Sequence, residues 1–503
     1  MKIDFRKTMI WLHTYSGLLG GWLLLTIWTS GTLAYYNQEI SQWMKPELGT
    51  QESAPDLVNK SLQYLTQHGV NAKQWDISLP YQRSNQLKVT WKDSLKRRAK
   101  RHSTIINNND LTPIFPRETK GGEFFRQFHY TVHLRQYGSR YVTGAAAMFM
   151  LVALFSGIFT HRRFFRDFFT LRFKNMLKAI TDLHAVAGVI TIPFCFLISL
   201  SALSVYTDKF VPWSMEYHFD GGRQGIDKHI TTKLSPIKLS NLAAVPINDF
   251  NHIEKRLHDI WPEENAIGSI RYQYPYDQNG RVIVSRNERF SLSRKKEQLV
   301  FNPHSGEIIE TIQPEGFVRT VRRVLYGMHE ANFASPTLRF FLFFMGVSST
   351  FLIGSGLVIW LNKRLEKVKN RHLGHTVVEK LNISIIMGLL IAIVSYFYAN
   401  RLIALNAVDR INLEINVFFI SWLMVCIFIM CRPIKTAWKH LLLIAGVGYL
   451  FLPLLDLIIN HQWLVQSLIN KRFIYVSIEL AMIIAGLICL AFYRRINQKA
   501  NKC

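Results

Sequence analysis

Eight stretches of mostly apolar residues, near 9–35, 141–160, 183–206, 338–361, 381–399, 414–431, 440–459 and 473–493, constrain this chain more than any other feature. Each approaches or exceeds the roughly 20 residues that carry an α-helix across a bilayer. In hydrocarbon the backbone must satisfy its own hydrogen bonds, so such stretches fold as helices. The expected fold class is a membrane all-α helical bundle of about eight transmembrane helices, its first four an internal duplication, with two small α+β domains. The expected division is 1–36 for helix one, 37–138 for the first polar domain, and 139–206 for helices two and three. The second polar domain follows at 207–335, helix four at 336–365 and a four-helix appendage at 366–503.

Charge sets the orientation. The chain carries 60 Lys+Arg against 34 Asp+Glu, a formal net charge of +26. A nucleic-acid reading needs a basic stripe on a soluble fold. Here much of the excess sits in short runs beside the apolar stretches. Residues 161–178 hold six Lys/Arg and one acid; 362–380, 432–439 and the tail after 493 are also basic. These runs share one side if both termini are cytoplasmic, as the positive-inside rule requires. The polar domains then face outward, and nucleic acid is not an expected partner; membrane lipid is. The first stretch has Lys2, Arg6 and Lys7 before it, but its apolar run is too long for a cleaved signal, so it reads as an anchor. The five cysteines show no zinc or disulfide spacing.

Within the polar segments, Ala54–His68 and Ile247–Ile260 read as helices. Trp75–Leu79, Gln86–Trp91, Ser269–Gln273, Arg281–Ser285 and Leu299–Asn302 read as strands, with Pro303–Gly306 as a hairpin turn.

A repeat runs through the first four spans. Leu12-His13 with Gly17 matches Leu183-His184 with Gly188. Gly31 and Ala202, then Tyr35 and Tyr206, follow at equal offsets. Ser156-Gly157 with His161 matches Ser355-Gly356 with Trp360. His129 and His133 precede span two, and His329 precedes span four. Matched positions are expected to face each other across a pseudo-two-fold axis.

Ionisable residues inside a membrane are costly and functional. His13 and His184 each lie about one turn inside the cytoplasmic boundary, with a glycine four residues on that lets a flat cofactor approach. Helical bundles hold cofactors between facing side chains, and two imidazoles make a six-coordinate b-type haem. A second haem is expected between His133 and His329, with His129, on the same helical face as His133, as its substitute. His133 is expected about 40 Å from His161 along one continuous helix. His161, matched by Trp360, reads as a boundary residue and an alternative inner ligand. His304 reads as structural. Arg126, Arg140, Arg319, Arg322 and Arg323 flank the outer position and suit haem propionates. Lys96, Arg97, Arg98, Lys100 and Arg101 form an outward basic run, read either as a solvated loop or as a weak landing site for an anionic substrate. Asp456 and Glu479 lie within the last spans. No dinucleotide fingerprint, Walker loop or nucleophile elbow is present, which disfavours direct nicotinamide or ATP chemistry.

KTMIWLHTYSGLLGGWLLLTIWTSGTLAYY resembles the first helix of the PepSY-associated transmembrane, or iron-regulated membrane, proteins. TVHLRQYGSRYV, LFSGIFTHRRF, TDLHAVAGVITIPFCFLISLSALSVY, LVFNPHSGEII, YGMHEANF and LIGSGLVIWLNKR extend the resemblance over about 1–365. The resemblance implies a bacterial inner-membrane protein with PepSY-like periplasmic domains. It also implies a ferric-siderophore reductase with two b haems, their ligands falling on His13, His133, His184 and His329. The first domain departs from the family hairpin, with Asn107-Asn108-Asn109-Asp110 in its place; the second has Asn302-Pro303-His304-Ser305-Gly306.

The expected function is therefore electron transfer. Quinol or a cytoplasmic reductase donates, a ferric siderophore accepts, Fe(II) is released, and other iron-uptake membrane proteins are expected neighbours. A partner-binding anchor or sensor, and a siderophore or metal permease, are the alternatives.

Overall fold

The computed structural model describes residues 4–49, 55–96, 99–160, 172, 176–211, 213, 217, 234–240, 245–312, 317–461 and 464–500. In chain order its elements are α1 (Phe5–Ala34), α2 (Asn37–Trp43), α3 (Leu57–His68), β1 (Gln74–Ser78), β2 (Leu87–Lys92), β3 (Arg101–Ile106) and β4 (Pro113–Ile114). Next come α4 (Glu123–Thr131), α5 (Ser139–Thr160), α6 (Met176–Val205) and α7 (Asn251–Ile260). The strands β5 (Ile267–Gln273), β6 (Arg281–Arg286), β7 (Gln298–Phe301) and β8 (Ile308–Ile312) follow, then α8 (Phe317–Glu330) and α9 (Pro336–Leu365). The chain ends in α10 (Leu373–Leu402), α11 (Arg410–Cys431), α12 (Ile434–Asn460) and α13 (Phe473–Ala500). Short helices also stand at Thr207–Phe210 and Leu464–Ile469.

Among the described residues, α1, α5, α6, α9, α10, α11, α12 and α13 are long and apolar enough to cross a membrane. The eight expected spans are these eight helices. Several helices run past the ends of their apolar stretches, because basic and polar turns such as 363–365 stay helical beyond the apolar run. The chain is a multi-pass membrane protein.

The chain divides into two compact units. One comprises Met1–Pro46, Arg117–Tyr206 and Thr337–Cys503; the other comprises Glu47–Pro116 and Thr207–Pro336. In the first, α1 packs against α5, α5 against α6, and α10 against α11 and α12. Leu24, Ile27 and Trp28 of α1 meet Ala146 and Met150 of α5 and Cys195 and Ile198 of α6 in one apolar cluster. Trp22 Nε1 donates to Asn382 Oδ1 at 2.8 Å, and Asn382 Nδ2 donates to the Leu357 carbonyl at 3.1 Å, joining α10 to α1 and α9. A polar pair that finds its partners inside the bundle fixes which helix faces meet.

In the second unit the two polar segments do not form two separate domains. They build one eight-stranded antiparallel sheet, in the order β4-β3-β2-β1-β5-β6-β7-β8. The order reads alike outward from the central pair, where Trp75 stands opposite Tyr272 and Ile77 opposite Ile270. Alternate residues of the central strands point to one face. There Trp75, Ile77, Leu87, Val89, Ile270, Tyr272, Val282 and Val284 form a core with Leu62 and Leu65 of α3 and Ile253 and Leu257 of α7. Sharing a sheet buries two edges that separate domains would expose. β3 was not expected, since Arg-His-Ser-Thr opens it and only Ile105 and Ile106 are apolar.

The continuous helix expected to carry His133 into span two is broken. α4 ends at Thr131, Val132 and His133 take left-handed φ values of 46° and 58°, and α5 begins at Ser139. The break lets α4 lie beside α1 with Phe124, Phe125 and Phe128 buried.

Candidate functional site

A cavity of about 590 Å³ opens between α1, α5, α6 and α9, at the end of the bundle that carries His13. Its size falls in the range of about 300–1,000 Å³ that suits cofactors. His13 and His184 both line it. His13 Nδ1 lies 2.8 Å from the Ala153 carbonyl oxygen of α5. A carbonyl only accepts, so Nδ1 carries the proton, and in the neutral ring the lone pair is then on Nε2. His184 Nδ1 lies 2.9 Å from Ser355 Oγ of α9, whose hydroxyl reaches the Leu352 carbonyl at 3.0 Å. With its proton donated to that carbonyl, Ser355 Oγ accepts from His184. The same tautomer follows. A metal-binding imidazole is oriented by a hydrogen bond of this kind at its other nitrogen.

Each ring rests on a glycine of the neighbouring helix. A Cβ at Gly157 would stand 3.1 Å from His13 Cε1, and one at Gly356 3.2 Å from His184 Cε1. A Cβ at Gly17, one turn after His13, would meet nothing within 4 Å. That empty face beside a histidine leaves room for a flat group. At the open end stand Lys363, Arg364 and Lys367, and among the described residues the lining contains no acid. The Arg364 guanidinium lies 3.7 Å from the Trp360 ring centroid, and the buried Trp360 indole N–H has no hydrogen-bond partner among the described residues. The site combines an apolar body, two oriented imidazoles and a cationic rim. It fits a flat, mostly apolar ligand with anionic groups at one end, and haem has that character.

The family described as PepSY-associated TM region matches residues 10–363. The chain belongs to the PepSY-associated transmembrane family. The matched region holds His13, His184, both glycine partners and most of the cavity, and it leaves α10–α13 outside. No curated protein matches the chain.

The other family-matched histidines are arranged differently. His129, on α4, points its Nδ1 at the Ile27 carbonyl of α1, 2.8 Å away, and its ring fills the space where a Gly31 side chain would stand. This repeats the carbonyl-oriented, glycine-backed setting of His13. Burial lowers the pKa of His129; the bond to Ile27 opposes the shift and the Arg126 charge adds to it. His133 is exposed and lies against Phe419, with ring centroids 5.1 Å apart. His329 sits in the last turn of α8, in the other compact unit. Arg126, expected near propionates, donates twice to Glu123, at 2.6 Å each.

His161, Arg97 and Arg98 lie outside the described residues. Lys96 and Lys100 are exposed, and Arg101 opens β3. His304 donates through its backbone to Asn302 Oδ1 and faces the Asp277 carbonyl through Nε2, in the turn where it was expected to be structural. Among the described residues no group of three His, Cys, Asp or Glu is placed to hold a bare metal ion. The sequence reading missed the buried charges of α10 and α11, Arg401, Arg410 and Glu414. They sit at the ends of the apolar stretches, and charge within a membrane segment is the signal that marks them.

Proposed function

We propose that this protein is an inner-membrane ferric-siderophore reductase carrying two b-type haems, with both termini cytoplasmic and the β-sheet unit in the periplasm. The observation that carries the reading is the pair His13 and His184, each oriented through Nδ1 and lining one cavity. The repeat of histidine, glycine and serine positions supports an internal duplication that pairs the two halves, and the symmetric strand order supports two PepSY-like halves within the sheet unit.

His13 and His184 would hold the inner haem, and Lys363 and Lys367 would meet its propionates. His129, with His133 as its rival, would be a ligand of the outer haem. Bound haem supplies one-electron redox chemistry, with a potential set by its axial ligands and burial. The chain's own part is to fix each imidazole's tautomer, to offer a glycine floor and to keep the centre dry among Leu18, Leu24, Ile192 and Leu352. In the overall reaction the chelated Fe(III) takes one electron and leaves as Fe(II), a lower-charge ion that hard oxygen ligands hold less well. Quinol or a cytoplasmic reductase replaces the electron.

The test is the visible spectrum of the detergent-purified protein, oxidised and dithionite-reduced, with haem quantified per chain. A bis-histidine b-type spectrum at about two haems per chain is expected. A colourless protein from cells with ample haem overturns the reading and leaves the anchor and permease alternatives.

A further inference from the structure

We infer that the C-terminal four helices, α10–α13, are a clamp that holds α4 and the segment before it, and so set the position of His129. The positioning of His129 as a haem ligand rests on the function proposed above; the clamp itself rests on contacts.

α4 has two faces. One carries His129 against Ile27 and Gly31 of α1. The other carries Phe124 and Phe128, buried among residues of α10 and α11, while Phe125, one turn before His129, packs between them on Tyr396 and Phe397. Phe124 lies 4.9 Å from Tyr396 and 5.0 Å from Phe418 between ring centroids, and Phe128 lies 5.5 Å from Phe418. Aromatic pairs at these separations bind beyond the area they bury.

Polar groups of the same helices take hold of the backbone leading to α4. The Arg410 guanidinium donates to the Glu118 carbonyl at 2.8 Å, Tyr396 Oη donates to the Gly121 carbonyl at 3.1 Å, and Thr119 Oγ1 donates to Glu414. Arg117 donates to the Asn400 carbonyl at 2.8 Å. α2, which packs on α4, is held likewise: Arg401 donates to the Trp43 carbonyl at 3.1 Å and Tyr475 to the Gln42 carbonyl at 3.2 Å. Arg401 and Arg410 are fixed in turn by Asp456 and Glu414. Ionic groups this deeply buried cost stability unless their geometry is complete. Here the partners include main-chain carbonyls of 42, 43, 118 and 121, where the chain leaves and re-enters this unit. A bundle that only anchored itself would have no need to spend donors there.

The experiment compares the full-length wild type with Phe418→Ala and the milder Tyr396→Phe. Hydrogen exchange of residues 117–133 is followed alongside haem content and the midpoint potential of each haem. Phe418→Ala is expected to speed exchange in 117–133 by about tenfold or more, because it opens a cavity against α4. It is also expected to lose or shift one haem of the two, while the haem at His13 and His184 keeps its spectrum and potential and so reports an intact fold. Tyr396→Phe is expected to shift the same haem's potential without loss. Unchanged exchange in 117–133, or equal loss of both haems from folded protein, overturns the clamp. If the wild type binds no haem, the proposed function falls and the exchange result alone decides the clamp.

Discussion

His13 Nδ1 lies 2.8 Å from the Ala153 carbonyl oxygen of the neighbouring helix, and His184 Nδ1 lies at 2.9 Å from Ser355 Oγ. Two histidines in matched helices thus have their protonated nitrogens tied back to the bundle. That relation turns a sequence repeat into an arrangement with chemical consequences.

If the two rings serve one ligand, His13→Ala and His184→Ala remove the same haem. Each variant is expected to retain about one haem of two by the pyridine haemochrome assay, with the remaining spectrum identical in both. Independent losses that add in the double variant would separate the two histidines.

The glycines sort by the space around them. Gly17→Ala meets nothing within 4 Å and is expected to fold and bind as wild type. Gly17→Trp is expected to fold yet exclude the planar ligand. Gly157→Leu drives a side chain into His13 and is expected to cost about 1–3 kcal/mol as overpacking, together with the inner haem. Thermal unfolding with absorbance at the Soret band measures both.

If the proposed outer haem is present, His129→Ala is expected to lose it and His133→Ala to keep it, since of the two only His129 is backed by a glycine and tied to a carbonyl. Acid acts through the same residue. Burial holds His129 below the ordinary histidine value of 6.5, so just below that pH the unfolded chain binds a proton that the folded chain does not. Stability then rises with pH through that window and falls on acidification. Haem-free wild type is expected to lose more thermal stability than His129→Gln between about pH 7 and about pH 5.5; equal losses would exonerate this residue.

Arg401 is buried against Asp456 at 0% and 2% side-chain exposure. Arg401→Ala leaves a buried carboxylate unpaired and is expected to destabilise the protein by about 3–5 kcal/mol. The double change Arg401→Met with Asp456→Leu is expected to recover part of that loss. Unfolding midpoints in detergent give the comparison.

Helices and strands were legible because periodicity is local. A run such as Phe340–Ile359 can satisfy its backbone in lipid only as a helix, and alternation marked β1, β2, β5, β6 and β7. β3 escaped notice because it borrows its strand character from pairing with β2, through Trp91 opposite His102 and Val89 opposite Thr104. The merging of two polar segments into one sheet rests on β1 meeting β5, a contact between residues nearly two hundred apart in the chain. No local pattern encodes such a pairing.

The same division runs through the site. The sequence by itself determined that two matched histidines lie inside a membrane, each with a glycine four residues on, because spacing along a helix fixes which side chains share a face. Tertiary structure alone decided that their imidazoles line one cavity, that Ala153 and Ser355 orient them, and that His129 has the oriented setting that His133 lacks. It also decided that α10–α13 close over α4. Those outcomes depend on which helix faces meet, and that is settled by packing and by where each buried polar group finds its partner.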